Sequence, residues 1–302
     1  MPPAAMKIHL LALLLLTAGS VLAQKTPANN PVAKNMAVPA SPAPAFTLSC
    51  ATELPASPLQ KIYCETRQLK LPAPPTGTAL TVDARADGGI NVRAWAGSDV
   101  RVRARITGRA ATAETARALA AAVRVGTANN TLRAELANGS LDGWAVSYEV
   151  LVPAATDLIL KAIAGSLTME NIQGVLRFEN TTGNVRLSGV SGDVRGRTTN
   201  GELTLTLTGD TWMGPALDIS TVNGNVIWQL PPAYAATLLA RTTRGRVSAE
   251  LNTKRLSVLP HSLAATLGKG GVQLKVSTVN GNVRVVQDHP PQLPADTIDA
   301  EE

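Results

Sequence analysis

The chain has 302 residues, 28 basic against 22 acidic side chains, a formal net charge of +6, three histidines, two cysteines and nine aromatic residues. So few histidines and thiols leave little from which to build a histidine triad, a thiol nucleophile or a histidine-rich metal centre. Nine arginines (85, 93, 101, 103, 105, 109, 117, 124 and 133) stand against Asp83, Asp87, Asp99 and Glu114. No nucleic-acid motif or interleaving of basic and aromatic residues accompanies this excess, so no nucleic-acid partner is expected.

Residues 1–23 read as a cleavable signal peptide. Lys7 precedes the apolar run Ile8–Ala18, interrupted by His9 and Thr17, and Val21-Leu22-Ala23 stand before Gln24. That run is about half of the ~20 residues needed to span a bilayer, and no later segment is continuously apolar for that length. No cysteine follows the cleavage site to take a lipid anchor. The mature protein is therefore expected outside the cytoplasm, periplasmic, secreted or at the cell surface, with no transmembrane helix. Its charge becomes 27 basic against 22 acidic residues once Lys7 is removed.

Residues 24–45 are mostly Pro, Ala, Asn and Lys, too poor in large apolar side chains to order themselves, and read as a flexible linker. The next segment, 46–78, contains both cysteines. An exported pair lacking C-x-x-C spacing and any nearby histidine is expected to form a disulfide, Cys50–Cys64. Closing so short a loop is worth about 3 kcal/mol at most.

The body of the protein is then 79–287. Val100, Val102, Ala104 and Ile106 alternate with Arg101, Arg103 and Arg105, the period of a half-buried strand. A helix over about 112–125 follows, with Thr112 as N-cap, Glu114 in its first turn, Ala116, Leu119, Ala120 and Val123 at helical spacing, and Gly126 as its stop. Strand alternation returns at Val146, Tyr148, Val150 and Val152.

A glycine at fixed spacing then takes over: Gly165, Gly174, Gly183, Gly192 and Gly201 lie nine residues apart. Positions two and four after each are mostly apolar, as in Leu167 and Met169 or Val185 and Leu187; Gly192 departs, with Val194 followed by Gly196. The template recurs with longer insertions at Gly224, Gly245 and Gly281. Thr-x-Asn-Gly precedes many turns (Thr198–Gly201, Thr221-Val222-Asn223-Gly224, Thr278-Val279-Asn280-Gly281), and Asn and Gly both tolerate the positive φ of a tight turn. An Asn-Gly pair alone would suit a hairpin, but a regular unit points to a stack of short strands. The expected fold is all-β, a β-solenoid-like stack of Gly-punctuated strands with one short inserted α-helix; an antiparallel meander or sandwich is the alternative. Residues 288–302, with three prolines and a terminal Asp-Ala-Glu-Glu, read as a disordered tail.

The stretch from about Leu80 to Val286 resembles a bacterial domain family of unknown function described as adhesin-like and built of β-strand repeats. The resemblance rests on the G-x-Φ-x-Φ units, the repeated T-V-N-G turns, the Ala-rich helix after an Arg-alternating strand, and Leu267-Gly268-Lys269-Gly270-Gly271 ahead of the last repeat. Arg244 before Gly245, in place of Asn, departs from the pattern and puts that turn in doubt. The resemblance implies an extracytoplasmic solenoid-like domain with no established activity, and fold does not fix function.

No catalytic constellation emerges, and no cofactor or metal is expected. Only His261 and His289 remain after signal removal, and Gly268–Gly271 lacks P-loop spacing. Glu170 and Glu179 sit at equivalent places in adjacent units and are the one carboxylate pair that a polysaccharide-active solenoid enzyme could use. They read instead as solvated residues beside Arg177 or Arg186. Trp228 is expected in the core, while Trp95, Trp144 and Trp212 are candidates for exposure. The leading expectation is a non-enzymatic envelope scaffold or adhesion-type binding module. The alternatives are a polysaccharide-active enzyme and an accessory to an envelope stress or signalling system. The expected partner is an envelope component, an anionic polysaccharide or a lipid headgroup, contacted by Arg101, Arg103 and Arg105, which alternation places on one face.

Overall fold

The computed structural model describes residues 44–50, 60–85 and 87–288. The expected signal peptide, nearly all of the 24–45 linker and the tail beyond Asp288 lie outside these residues. Among the described residues the chain opens with β1 (Lys61–Pro72), β2 (Leu80–Asp83), β3 (Ile90–Trp95) and β4 (Asp99–Ala110). The helix α1 (Ala113–Ala122) follows, then β5 (Arg124–Ala128), β6 (Thr131–Glu135) and β7 (Trp144–Pro153). The repeat runs through β8 (Leu158–Ala164), β9 (Leu167–Glu170), β10 (Gln173–Thr182), β11 (Val185–Ser188), β12 (Ser191–Asn200), β13 (Leu203–Thr206), β14 (Ala216–Asn223) and β15 (Val226–Leu230). Last come β16 (Ala236–Arg244), β17 (Val247–Glu250), β18 (Leu256–Leu259), β19 (Ser262–Leu267), β20 (Gln273–Asn280) and β21 (Val283–Gln287).

These strands form two sheets. Sheet A has the order β1-β4-β7-β3-β9-β11-β13-β15-β21-β17, and sheet B the order β18-β19-β16-β20-β14-β12-β10-β8-β2-β6-β5. From β8 to β15 the chain alternates between the sheets, and like strands stack in parallel. The nine-residue glycine period is therefore half of the stacking unit. Leu176 pairs with Leu158 and Val194, and Val185 with Leu167 and Leu203, each eighteen residues away. One strand and one corner take nine residues, and the chain needs two of each to return to the same sheet. Leu176, Val185, Val194 and Leu203 are all fully buried, while Arg186 and Arg195 are exposed and Arg177 is half-buried. Antiparallel pairing is confined to the two ends, in β1–β4, β4–β7, β5–β6, β16–β19 and β18–β19.

At both ends the stacking order departs from chain order. The β20–β21 turn inserts between β14–β15 and β16–β17, and β2–β3 inserts between β8–β9 and β6–β7. The helix packs on β4, where Gly108 permits close approach: a Cβ there would lie 2.1 Å from the Ala116 carbonyl oxygen. It is shorter than the sequence pattern suggests. Val123 is already extended (ψ 126°) as the C-cap, and Gly126 belongs to β5, because residues 124–128 gain a sheet partner in β6. The Arg67 guanidinium donates to the Ala120, Ala121 and Val123 carbonyls, placing a cation at the negative end of the helix.

The corner from sheet B to sheet A explains Thr-x-Asn-Gly. A Cβ on Gly201, Gly224, Gly281 or Gly245 would lie 2.0–2.1 Å from the carbonyl oxygen of the stacked glycine: Gly183, Gly201, Gly224 and Gly281 respectively. The threonine three residues earlier donates its hydroxyl to that same oxygen. Thr221 reaches Gly201 at 3.0 Å, Thr278 reaches Gly224 at 2.8 Å, Thr242 reaches Gly281 at 2.8 Å, and Thr198 reaches Gly183 at 3.5 Å. Asn180 fills the role for Gly165 at 3.2 Å through Nδ2.

The asparagines do not serve through positive φ, which neither Asn223 nor Asn280 adopts. Their side chains form a ladder instead: Asn280 Nδ2 donates to Asn223 Oδ1 at 2.6 Å, and Asn223 Nδ2 to Asn200 Oδ1 at 2.7 Å. Arg244 ends that ladder on Asn280 Oδ1, so the irregular turn at Gly245 forms like the others. Gly196, the other irregularity, makes room for Phe178, whose ring atoms would lie 2.2 Å from a Cβ at that position.

Gly183→Ala should accordingly cost several kcal/mol, since φ is +133° and a Cβ would stand 2.3 Å from the Gly165 oxygen. Gly126→Ala, with nothing within 4 Å, should leave stability within about 0.5 kcal/mol. Val185→Asp should cost several kcal/mol as a buried unpaired charge, and Arg186→Asp under about 1. Denaturant melts of the four variants check both contrasts; equal shifts within either pair would contradict this register.

Candidate functional site

The alternation of β4 does place Arg101, Arg103 and Arg105 on one face, the outer face of sheet A, where all three are half-buried. The cover over Arg103 and Arg105 is the segment 44–50, which crosses them as a strap. Arg103 stacks over Phe46, with 4.8 Å from Cζ to the ring centroid, and donates to the Leu48 carbonyl at 3.3 Å. Arg105 donates to the Ser49 carbonyl at 3.3 Å, and Arg93 to the Ala45 carbonyl at 3.1 Å. Arg101 lies over Trp95 at 4.3 Å and pairs with Asp99 at 3.3 Å.

At the centre of this face sits Glu149, 1% exposed. Its carboxylate accepts the backbone N–H groups of Thr47 at 2.8 Å and Leu48 at 2.7 Å and pairs with Arg93. A buried carboxylate requires such partners, because an unpaired one would be very costly to desolvate. The strap ends at Cys50, which is bridged to Cys64 of β1 with an S–S distance of 2.02 Å and Cα atoms 5.8 Å apart. The arginines thus read the main chain of the protein's own N-terminal segment. Sequence alternation marks the arginine face but gives no sign of the strap; Glu149, a lone acid among Val146, Tyr148, Val150 and Val152, is the only signal for it.

The remaining candidates separate. Glu170 lies on sheet A and Glu179 on sheet B, so the two carboxylates do not converge. Glu179 pairs with Arg197 at 3.1 Å rather than with Arg177 or Arg186. Arg177 pairs with Asp193 at 2.5 Å, and Arg195 holds the same carboxylate at 2.9 Å. Trp144 and Trp212 are buried, with indole N–H groups donating to Ser140 O at 2.9 Å and Gly192 O at 3.1 Å, so neither is available as a ligand platform. Trp228 is fully buried, as its inward position requires. Exposed His261 contacts the Gly245 carbonyl through Nδ1 at 2.9 Å. Among the described residues no group of three or more His, Cys, Asp or Glu side chains is placed to hold a metal ion, and no helix is long and apolar enough to cross a membrane.

A second surface is the groove of about 580 Å³ on the outer face of sheet B. One side is a charge row built by the sheet register, Asp83↔Lys161↔Glu179↔Arg197. The other is the next outward column, in which Ile163 and Val222 are 55% and 40% exposed with Thr181 and Thr199 between them. Leu141, from the β6–β7 connection, also lines it. Sequence reading missed this groove because its residues lie in five separate strands, β2, β8, β10, β12 and β14, and two connections, and only the stacking of sheet B aligns them.

The family model Toastrack DUF4097 matches residues 87–286, about two-thirds of the sequence and the strands from β3 to β21. The chain belongs to the Toastrack family. Two solved structures resemble this Toastrack domain: a proposed cell adhesion protein from Clostridium sporogenes (9% identity, TM-score 0.35, 74% of this chain and 100% of that one) and a proposed adhesin from Bacteroides fragilis (12% identity, TM-score 0.35, 75% and 97%). No curated protein matches the chain.

Two measurements test this description of the faces. Glu149→Ala should abolish hydrogen-exchange protection at the Thr47 and Leu48 amides and cost about 3 kcal/mol, since it strands Arg93; unchanged protection would mean that the disulfide alone holds the strap. For Asp193, partial burial acts to raise the carboxyl pKa, but hydrogen bonds from Arg177 and Arg195 outweigh it and hold the group below the ordinary carboxylate range. A lowered folded-state pKa stabilises the fold above the unfolded value near ~3.9, and that stabilisation is lost as pH falls through the folded value. Asp193→Asn should therefore destabilise at neutral pH and lose its effect in acid, and urea melts across that window would show a flat penalty if the assignment is wrong.

Proposed function

We propose that this Toastrack domain is a non-enzymatic, extracytoplasmic binding module, an adhesin-type or scaffold protein that engages a component of the cell envelope from the periplasm or the cell surface. The groove on sheet B is the observation that carries the reading. It is a concave, mixed polar and apolar surface, held by stacked strands on a packed core, and it faces solvent. Preformed clefts with a few polar groups are the usual sites of ligand recognition. The Cys50–Cys64 bridge fits an oxidising compartment, as do the signal-like residues 1–23. The separation of Glu170 from Glu179, the carboxylate pair considered for a polysaccharide-active solenoid enzyme, supports the non-enzymatic reading. For Arg101, Arg103 and Arg105 to contact an anion, as their shared face suggests, the strap would have to lift from Arg103 and Arg105.

Mature protein immobilised and challenged with purified envelope fractions should retain envelope polymer saturably. The same fractions should show no turnover, and Glu170→Gln and Glu179→Gln should bind as the parent does. Turnover that either substitution abolishes would overturn the reading in favour of an enzyme.

A further inference from the structure

We infer that the sheet B groove binds an extended anionic polysaccharide laid along the stacking axis, a proposal that rests on the binding-module reading above and names its ligand class. The groove contains both signs of charge, but they are unequally committed. Asp83 is held by Arg133 at 2.8 Å and Glu179 by Arg197 at 3.1 Å. Among the described residues Lys161 and the Arg85 guanidinium have no such partner, and Arg85 Nε is buried without one. Arg85 owes its direction to a left-handed backbone (φ 58°), held by its N–H donating to Asp83 Oδ1 at 2.9 Å. A non-glycine residue in that region is uncommon and marks a position fixed for a reason. The Glu179–Arg197 pair is 59% and 74% exposed. Such a surface pair is worth ~0–1 kcal/mol and can be exchanged for a ligand carboxylate. The groove therefore offers three cations to an incoming acid.

The same register sets the shape of the ligand. Ile163, Thr181, Thr199 and Val222 come from successive strands of sheet B, so they repeat at the strand spacing of ~4.8 Å. A pyranose residue in an extended glycan is of that length, so successive sugars can place their C–H faces on Ile163 and Val222 and their hydroxyls against the threonine hydroxyls. An extended peptide would add to a free strand edge rather than cross the strands. A lipid headgroup would not use a column of repeating side chains. Charge complementarity then selects a sugar that carries a carboxylate.

The test uses the mature full-length chain, a hexameric oligo-uronate, a neutral glucan of equal length, and vesicles containing an anionic phospholipid. Oligo-uronate binding, measured by calorimetry, should weaken steeply with added salt, because exposed charges are screened beyond ~8 Å at physiological ionic strength. The Lys161→Glu and Arg85→Gln variants should each lose at least tenfold in affinity while still folding and melting cooperatively, and Ile163→Asp should do the same without altering the cations. Arg195→Gln, one column outside the groove, should bind normally. Should Arg85→Gln melt early, Lys161→Glu decides alone, since Lys161 is exposed. Parental affinity in Lys161→Glu, equal binding of the neutral glucan, or binding of the vesicles in place of the oligo-uronate would each overturn the proposal. A chain that retains envelope polymer yet ignores oligo-uronate would overturn this ligand and leave the binding-module reading standing.

Discussion

The stack depends on one contact, the approach of each corner glycine to the carbonyl oxygen of the glycine one turn away. In a parallel stack, equivalent corners must superimpose at the strand spacing, and at this corner the chain turns so sharply that the carbonyl of one turn occupies the place of a Cβ in the next. Any side chain there would separate the turns and break the pairing on both sides. The approach also buries a carbonyl that needs a donor. The threonine three residues upstream supplies one from inside the core, where Thr198, Thr221, Thr242 and Thr278 are all at most 6% exposed. The Asn ladder secures the outside of the same corner. A single steric constraint thus accounts for three positions of the Thr-x-Asn-Gly unit.

The same constraint reveals why irregularities are tolerated where they are. Gly196 breaks the apolar pattern of its strand, yet Phe178 in the adjoining turn occupies the space that its missing side chain leaves. Arg244 replaces an asparagine and still closes the ladder, because a guanidinium can donate to the Asn280 oxygen as an amide would. Substitution is permitted on the outside of the corner and compensated between neighbouring turns in the core. It is excluded only at the glycines.

These differences mark how far the sequence could be read. Period and polarity were legible, since a two-residue alternation and a fixed glycine interval are local properties of the chain; from them follow the all-β class, the inward residues and the shared face of Arg101, Arg103 and Arg105. Stacking partners were not, because a nine-residue interval is compatible with stacking at nine or at eighteen, and only the need to bury the inner face of each sheet against the other selects the second. The role of Asn223 and Asn280 was misread for the same reason: Asn-Gly is locally a positive-φ signal, whereas here the asparagine serves a neighbour eighteen or more residues away. Trp144 and Trp212 are candidates for exposure from their nearness to turns, but indole N–H groups satisfied by Ser140 and Gly192 carbonyls allow both rings to be buried. The strap over Glu149 joins residues about a hundred positions apart, and a lone acid in an apolar strand is its one local trace.

The two outer faces differ in what their charges already do. On sheet A, the acid at the centre is buried and every cation around it holds a main-chain carbonyl, a carboxylate or an aromatic ring, so the face is covered largely by the protein's own N-terminal segment, which a bridge ties to β1. On sheet B, the register alternates acids and bases down one row; Arg133 holds the half-buried Asp83, the Glu179–Arg197 pair is exposed, and Lys161 and Arg85 are left over. Net charge gives no hint of this contrast, because the more cationic face is the occupied one. What separates a structural charge cluster from an available one is whether desolvated partners already satisfy it, and by that criterion the arginine-rich strand maintains the fold while the mixed-charge row is the surface left open to a ligand.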